Sequence, residues 1–131
     1  MMDVETFDRA RLWHFRARLE SVRDCDTIET LADTGYGGRH QAAIRLAGIN
    51  SPENGTPEGD AATAWMVDTL SRWPISHAWP LRVVSLQRER VVSEVRSFER
   101  FVGSIYLIAV NGQLVSLSDL AVTAGHAVRA T

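Results

Sequence analysis

Thr27-Ile28-Glu29-Thr30-Leu31-Ala32, then Asp33-Thr34-Gly35-Tyr36-Gly37-Gly38, then the run from Gln41 to Ile49: these three consecutive pieces decide the fold. The first and third are rich in apolar and β-branched residues, and the middle one is a cluster of turn formers. They read as a hairpin whose returning strand runs from Gln41 to Ile49. Upstream, Phe15-Arg16-Ala17-Arg18-Leu19 alternates apolar residues with arginines, the pattern of a half-buried strand. Asp24-Cys25-Asp26 reads as the turn joining that strand to Thr27–Ala32, so three strands meander. The first twelve residues mix charges with Val4, Phe7 and Leu12 at loosely helical spacing and read as an arm or short helix before a domain spanning 13–131.

Downstream, Asn50 to Gly59 is dense in turn formers and ends in a helix start, with Thr56 as N-cap and Pro57 in the first turn. Ala61, Ala62, Trp65, Met66, Thr69, Leu70 and Trp73 recur at helical spacing until Pro74. Leu81–Leu86 and Val102–Val110 are strand candidates. Asn111-Gly112 is a tight turn into Gln113-Leu114-Val115, and Ser116 with Asp119 suggests a capped helix that Gly125 ends. Three strands, a helix, two strands and a helix suit an α+β fold built on a five-stranded OB-type Greek-key β-barrel with two to three helices.

Composition narrows the function. The chain has 131 residues, enough for one domain, and its 45% hydrophobic and 23% charged content is that of a globular protein. All 14 cations are arginines, set against 16 carboxylates, and the net charge of −2 excludes a uniformly basic nucleic-acid binder. Every cation is therefore a planar fork able to grip phosphate through two hydrogen bonds. A single cysteine, Cys25, excludes an internal disulfide and a multi-cysteine zinc site. Apolar runs are too short for a membrane helix. The opening Met1-Met2-Asp3-Val4-Glu5-Thr6 lacks a secretory pattern, so a cytoplasmic location is expected. Without lysine there is no phosphate-binding P-loop, and the four scattered histidines make no zinc pair. Trp13, Trp65, Trp73 and Trp79 read as packing residues, and no residue argues for an apolar ligand pocket.

Three segments are left to carry chemistry: Asp24-Cys25-Asp26-Thr27, Ile44-Arg45-Leu46-Ala47-Gly48-Ile49-Asn50-Ser51-Pro52-Glu53, and Ser97-Phe98-Glu99-Arg100-Phe101. In this order and spacing, with a helix after Pro-Glu, the Asn-Gly hairpin and a final Gly125-His126-Ala127, they resemble the staphylococcal-nuclease (thermonuclease) family from about Trp13 to Arg129. The resemblance implies an OB barrel that hydrolyses phosphodiester bonds of DNA and RNA with Ca²⁺, leaving 3′-phosphate ends. It implies that Arg45 and Arg100 are catalytic arginines and that Glu53 is the general base or orients the attacking water. Asp26, Asn50 and the backbone carbonyl of Ser51 would be metal ligands, and Phe98 would stack on a base.

The departures from the family pattern carry consequences. Asn50 stands where the family has Asp, which removes one negative charge from the metal site. Cys25 replaces a Gly, which would strain the turn if that position needs a positive φ. Ser97-Phe98-Glu99 replaces Lys-Tyr-Gly, removing a cation and a phenol. The family's usual C-terminal helix is lacking; either the N-terminal segment, through Val4, Phe7 and Leu12, covers that surface, or the chain oligomerises or docks into a larger assembly. Arg16 and Arg18 read either as a plain solvated strand face or, if the barrel places them on one face with Arg45 and Arg100, as a basic patch of a non-catalytic OB module that binds nucleic acid or serves as a structural component.

Overall fold

The computed structural model describes residues 2–6, 13–74, 76–92 and 99–130, with side chains undescribed at 86–92 and 99. After a helical turn at 4–6, the elements are β1 (His14–Asp24), β2 (Thr27–Gly35), β3 (Gly38–Leu46), β4 (Ile49–Asn50), α1 (Pro57–Ser71), β5 (Leu81–Val92), β6 (Glu99–Ile108), β7 (Leu114–Ser116), α2 (Leu117–Thr123) and β8 (Val128–Arg129). Strands β3-β2-β1-β5-β6 pair in that order, all antiparallel. A parallel pairing of β3 with β6 then closes the ring. The result is a closed five-stranded mixed barrel, the expected OB-type α+β architecture. β7 extends it beyond β6, and β4 pairs separately with β8.

Alternation along the strands sets two faces. Ala17, Ile28, Ile44, Leu46, Leu81, Val83, Ile105 and Leu107 point into the core, where all are buried. Arg16, Arg18, Arg39, Arg45, Arg82 and Arg100 leave the outer face. The helix caps are those expected: Thr56 Oγ1 accepts from Gly59 N at 3.0 Å, and Ser116 Oγ accepts from Asp119 N at 3.2 Å. α1 then presses Ala62 and Met66, both fully buried, onto the core.

Several strand boundaries differ from the reading of the sequence: β2 runs past Ala32 to Gly35, β3 starts at Gly38 and not at Gln41, and β6 spans Glu99–Ile108 where Val102–Val110 is expected. The strand expected to run unbroken to Ile49 ends at Leu46, because Ala47-Gly48 turns the chain with Gly48 at φ 76°. Ile49-Asn50 is thereby released to pair with Val128-Arg129. β5 runs to Val92, past the expected Leu86, across a register shift between Ser85 and Arg90. The barrel also holds an apolar cavity of about 150 Å³ near the β2–β3 hairpin, lined by residues including Phe15, Ala42, Val83 and Phe101, which no sequence feature announced.

Met66 fills a site with no solvent access. Met66→Ala is expected to lower the unfolding free energy by about 2–5 kcal/mol in urea titrations. A loss well under 1 kcal/mol would mean that α1 does not hold the core.

Candidate active site

At one end of the barrel the β1–β2 turn, the end of β3 and the loop after β4 meet. The turn is tied to β3 by the backbone bond from Leu46 N to Asp26 O, 2.8 Å. Cys25 is fully buried in it with no positive φ, so the turn accepts a side chain where the family has glycine. Burial, then the charges of Asp26 and Asp24, push the Cys25 thiol up to about 11. It is thus a packing residue and not a nucleophile.

Arg45 is the hub. Its Nη1 donates to the carbonyls of Leu46 (2.7 Å) and Ile49 (2.9 Å), and its Nη2 donates to Asn50 Oδ1 (2.8 Å). Nη2 also lies 3.5 Å from Asp26 Oδ2. A guanidinium has five N–H donors; three go to these oxygens and the second Nη2 hydrogen faces Asp26, so among the described residues Nε–H remains for a ligand. Asp26 Oδ2 further accepts from Ser51 N at 3.2 Å, which fixes the loop against the turn.

Arg100 arrives from β6. The parallel register pairs Ala43 with Arg100 and Arg45 with Val102. Arg100 and Arg45 therefore leave the same outer face of adjacent strands as diagonal neighbours, and only the Ala43 methyl lies level with Arg100 on β3. Glu29 pairs with Ala43 from the other side. Its carboxylate, 4% exposed, accepts from Ser21 Oγ (2.9 Å) and Arg23 Nε (3.1 Å). No sequence motif points to this buried ion pair. Its one signal is a glutamate among β-branched residues inside a strand.

Glu53 is positioned through its backbone. Its carbonyl accepts from Thr56 Oγ1 at 2.7 Å, and a Cβ on Gly59 would fall 1.7 Å from that oxygen. Only glycine at 59 allows the loop to close on the start of α1. The Glu53 carboxylate itself is exposed and has no hydrogen-bond or ion-pair partner among the described residues. Phe98 lies outside the described residues, as do Phe7 and Leu12.

The two turn carboxylates have opposite electrostatics. Burial, then hydrogen bonding to Asp26 and its charge, raise Asp24 to about 6. Burial also works to raise Asp26. The hydrogen bonds from Asp24 and Ser51 and the charge of Arg45 outweigh it and hold Asp26 below its ordinary value. Below about pH 6 Asp24 thus holds its proton while Asp26 keeps its charge. Asp24 Oδ1 is buried without a hydrogen-bond partner.

An orphaned carboxylate oxygen beside an ionised one, with only oxygen donors nearby, fits a hard cation such as Ca²⁺. The fit is a weak one. The Asn50 oxygen expected as a ligand already accepts from Arg45, and no group of three His, Cys, Asp or Glu able to hold a metal occurs among the described residues. No protein-family profile matches the chain, and no curated protein matches it.

Two tests follow from this geometry. The folded protein retains a proton on Asp24 that the unfolded chain has released, so the wild type loses stability as pH rises from 3.8 to about 6. Asp26, shifted down, acts below that window. With chelator present, Asp24→Asn should gain stability relative to the wild type across this interval and level off above it. A pH-independent difference in urea midpoint would contradict the proton held by Asp24. Gly59→Ala should fold with the Glu53 loop pushed off the start of α1 and a lowered urea midpoint; an unchanged midpoint would remove Gly59 as the residue that lets the loop close.

Proposed function

We propose that this chain is a thermonuclease-like phosphodiesterase, hydrolysing DNA or RNA with the help of a hard divalent cation such as Ca²⁺ and leaving 3′-phosphate ends. The observation that supports this reading is the pair of guanidiniums, Arg45 and Arg100, side by side on the outer face where β3 and β6 run parallel.

Attack on a phosphodiester places additional charge on the non-bridging oxygens, so fixed cations beside them lower the barrier. Arg45 is rigid, held by two carbonyls and an amide oxygen, and needs little reorganisation to receive a phosphate. Arg100 faces the same phosphate from β6. Glu53, on a loop clamped to α1, orients a water and takes its proton as the water oxygen bonds to phosphorus and the 5′-oxygen leaves. Asp26, with Asp24 and the Ser51 carbonyl, would hold the cation, which when bound neutralises phosphate charge and lowers the pKa of water. Asp24 must release its proton for this, which its value of about 6 allows near neutral pH.

One observation favours a second reading, a nuclease-like OB module without turnover: Asn50 supplies an amide oxygen already engaged by Arg45 where a carboxylate would hold metal more tightly.

Hydrolysis of labelled single-stranded DNA and RNA, with millimolar Ca²⁺ or with chelator, separates the two readings. The proposal requires Ca²⁺-dependent cleavage that falls about 10²–10³-fold in Arg45→Ala and in Arg100→Ala, with the fold intact by circular dichroism. No cleavage by the folded wild type with any divalent metal would leave the non-catalytic module.

A further inference from the structure

Away from the candidate active site, the outer face of the barrel carries an unusual charge arrangement. The registers place Arg82, Arg16, Asp33 and Arg39 in one row across β5, β1, β2 and β3. Arg18 sits one outward position further along β1. Four guanidiniums thus face one carboxylate, in a chain whose net charge is −2. Arg16 stands directly opposite Arg82, and like charges in such pairs destabilise a sheet. Asp33 pairs with Arg16 and accepts from Gly35 N (2.9 Å), while Arg82 is held by the carbonyls of Trp79 (2.6 Å) and Leu81 (3.1 Å).

Trp79 lies among these cations. The guanidinium carbons of Arg18, Arg16 and Arg39 are 5.0, 5.9 and 5.7 Å from its ring centroid, all within cation–π range. The tryptophan read from sequence as packing therefore organises a cationic surface. At the tip of the β2–β3 hairpin, Tyr36 is fully exposed and adopts a left-handed backbone conformation, φ 54°. Bulky residues rarely adopt that conformation, and it projects the phenol clear of the barrel.

We propose that this face, Arg16, Arg18 and Arg39 around Trp79 with Tyr36 beside them, binds the backbone and bases of single-stranded polynucleotide as an exosite. Flat aromatic groups interleaved with guanidiniums suit a chain that alternates bases with phosphates. An acidic peptide or an anionic membrane would use the charge and leave the exposed Tyr36 ring idle. The outward positions of β3 run from Arg39 through Gln41 and Ala43 to Arg45, roughly 20 Å along the strand. Ala43 between them is fully buried, so a polynucleotide held at Trp79 would cross over this covered position to reach the Arg45–Arg100 pair. In this role the face serves long substrates and not short ones, which rests on the nuclease reading above.

The test measures binding apart from cleavage. With chelator, fluorescence anisotropy of a labelled oligothymidylate of about 16 nucleotides is recorded against salt. Arg18→Gln/Arg39→Gln is expected to weaken binding about tenfold at low salt and to reduce the salt slope by about 1.4, the loss of two single-strand phosphate contacts. Trp79→Leu should weaken binding about fivefold or more with the slope unchanged, since stacking releases no counterions. With Ca²⁺, Arg18→Gln/Arg39→Gln should lose kcat/KM on the long oligonucleotide and keep it on a dinucleotide. Wild-type oligonucleotide affinity in both variants, or binding only to phosphatidylserine vesicles, would overturn the exosite. Oligonucleotide binding that depends on these residues, without any cleavage, would retain the exosite and reject the nuclease.

Discussion

The arrangement at the candidate-site end of this barrel depends on one half-buried guanidinium. Where β3 stops at Leu46 and the chain turns at Gly48, two carbonyls, those of Leu46 and Ile49, point toward the same spot. Arg45 satisfies both, and the same planar group holds Asn50 and faces Asp26. A buried carbonyl without a donor costs about 1–3 kcal/mol, so the arginine and the turn stabilise each other. The β1–β2 turn, the end of β3 and the loop leading to Glu53 are thereby fixed as one unit. That rigidity is what a phosphate-binding arginine needs, because its reorganisation is complete before a ligand arrives.

Much of the fold was legible because the decisive signals are local. Alternation in Phe15–Leu19, the glycine-rich turn before Gln41, the Thr56 and Ser116 caps, and Asn111-Gly112 each specify their conformation within a few residues. The β3 boundary was missed for a related reason. A strand-like run from Ile44 to Ile49, apolar but for Arg45, hides a single left-handed glycine, and the pairing that claims Ile49-Asn50 comes from Val128-Arg129, far along the chain. Closure by a parallel β3–β6 pair is likewise a long-range fact that neither strand announces alone.

The candidate site was legible in part. The resemblance to the thermonuclease family singles out Asp26, Arg45, Glu53 and Arg100, and the structure brings Asp26, Asn50 and Ser51 around Arg45. It places Arg100 diagonally beside Arg45, and Glu53 on the adjoining loop with a free carboxylate. The sequence could not show that Asn50 serves the arginine, that Asp24 keeps a proton, or that Gly59 lets Glu53 approach α1. Each depends on distances between segments. Trp79 was read as packing because composition cannot distinguish a core indole from one covered by arginines.

The central claim is that Arg45 and Arg100 grip a single phosphate. A double-mutant cycle on Ca²⁺-dependent hydrolysis of a labelled dinucleotide, with Arg45→Ala, Arg100→Ala and the double variant, tests it most directly. Two groups acting on one phosphate should be non-additive: the double variant should lose much less than the product of the single losses. Losses that multiply would show that the two arginines act independently and would contradict the account.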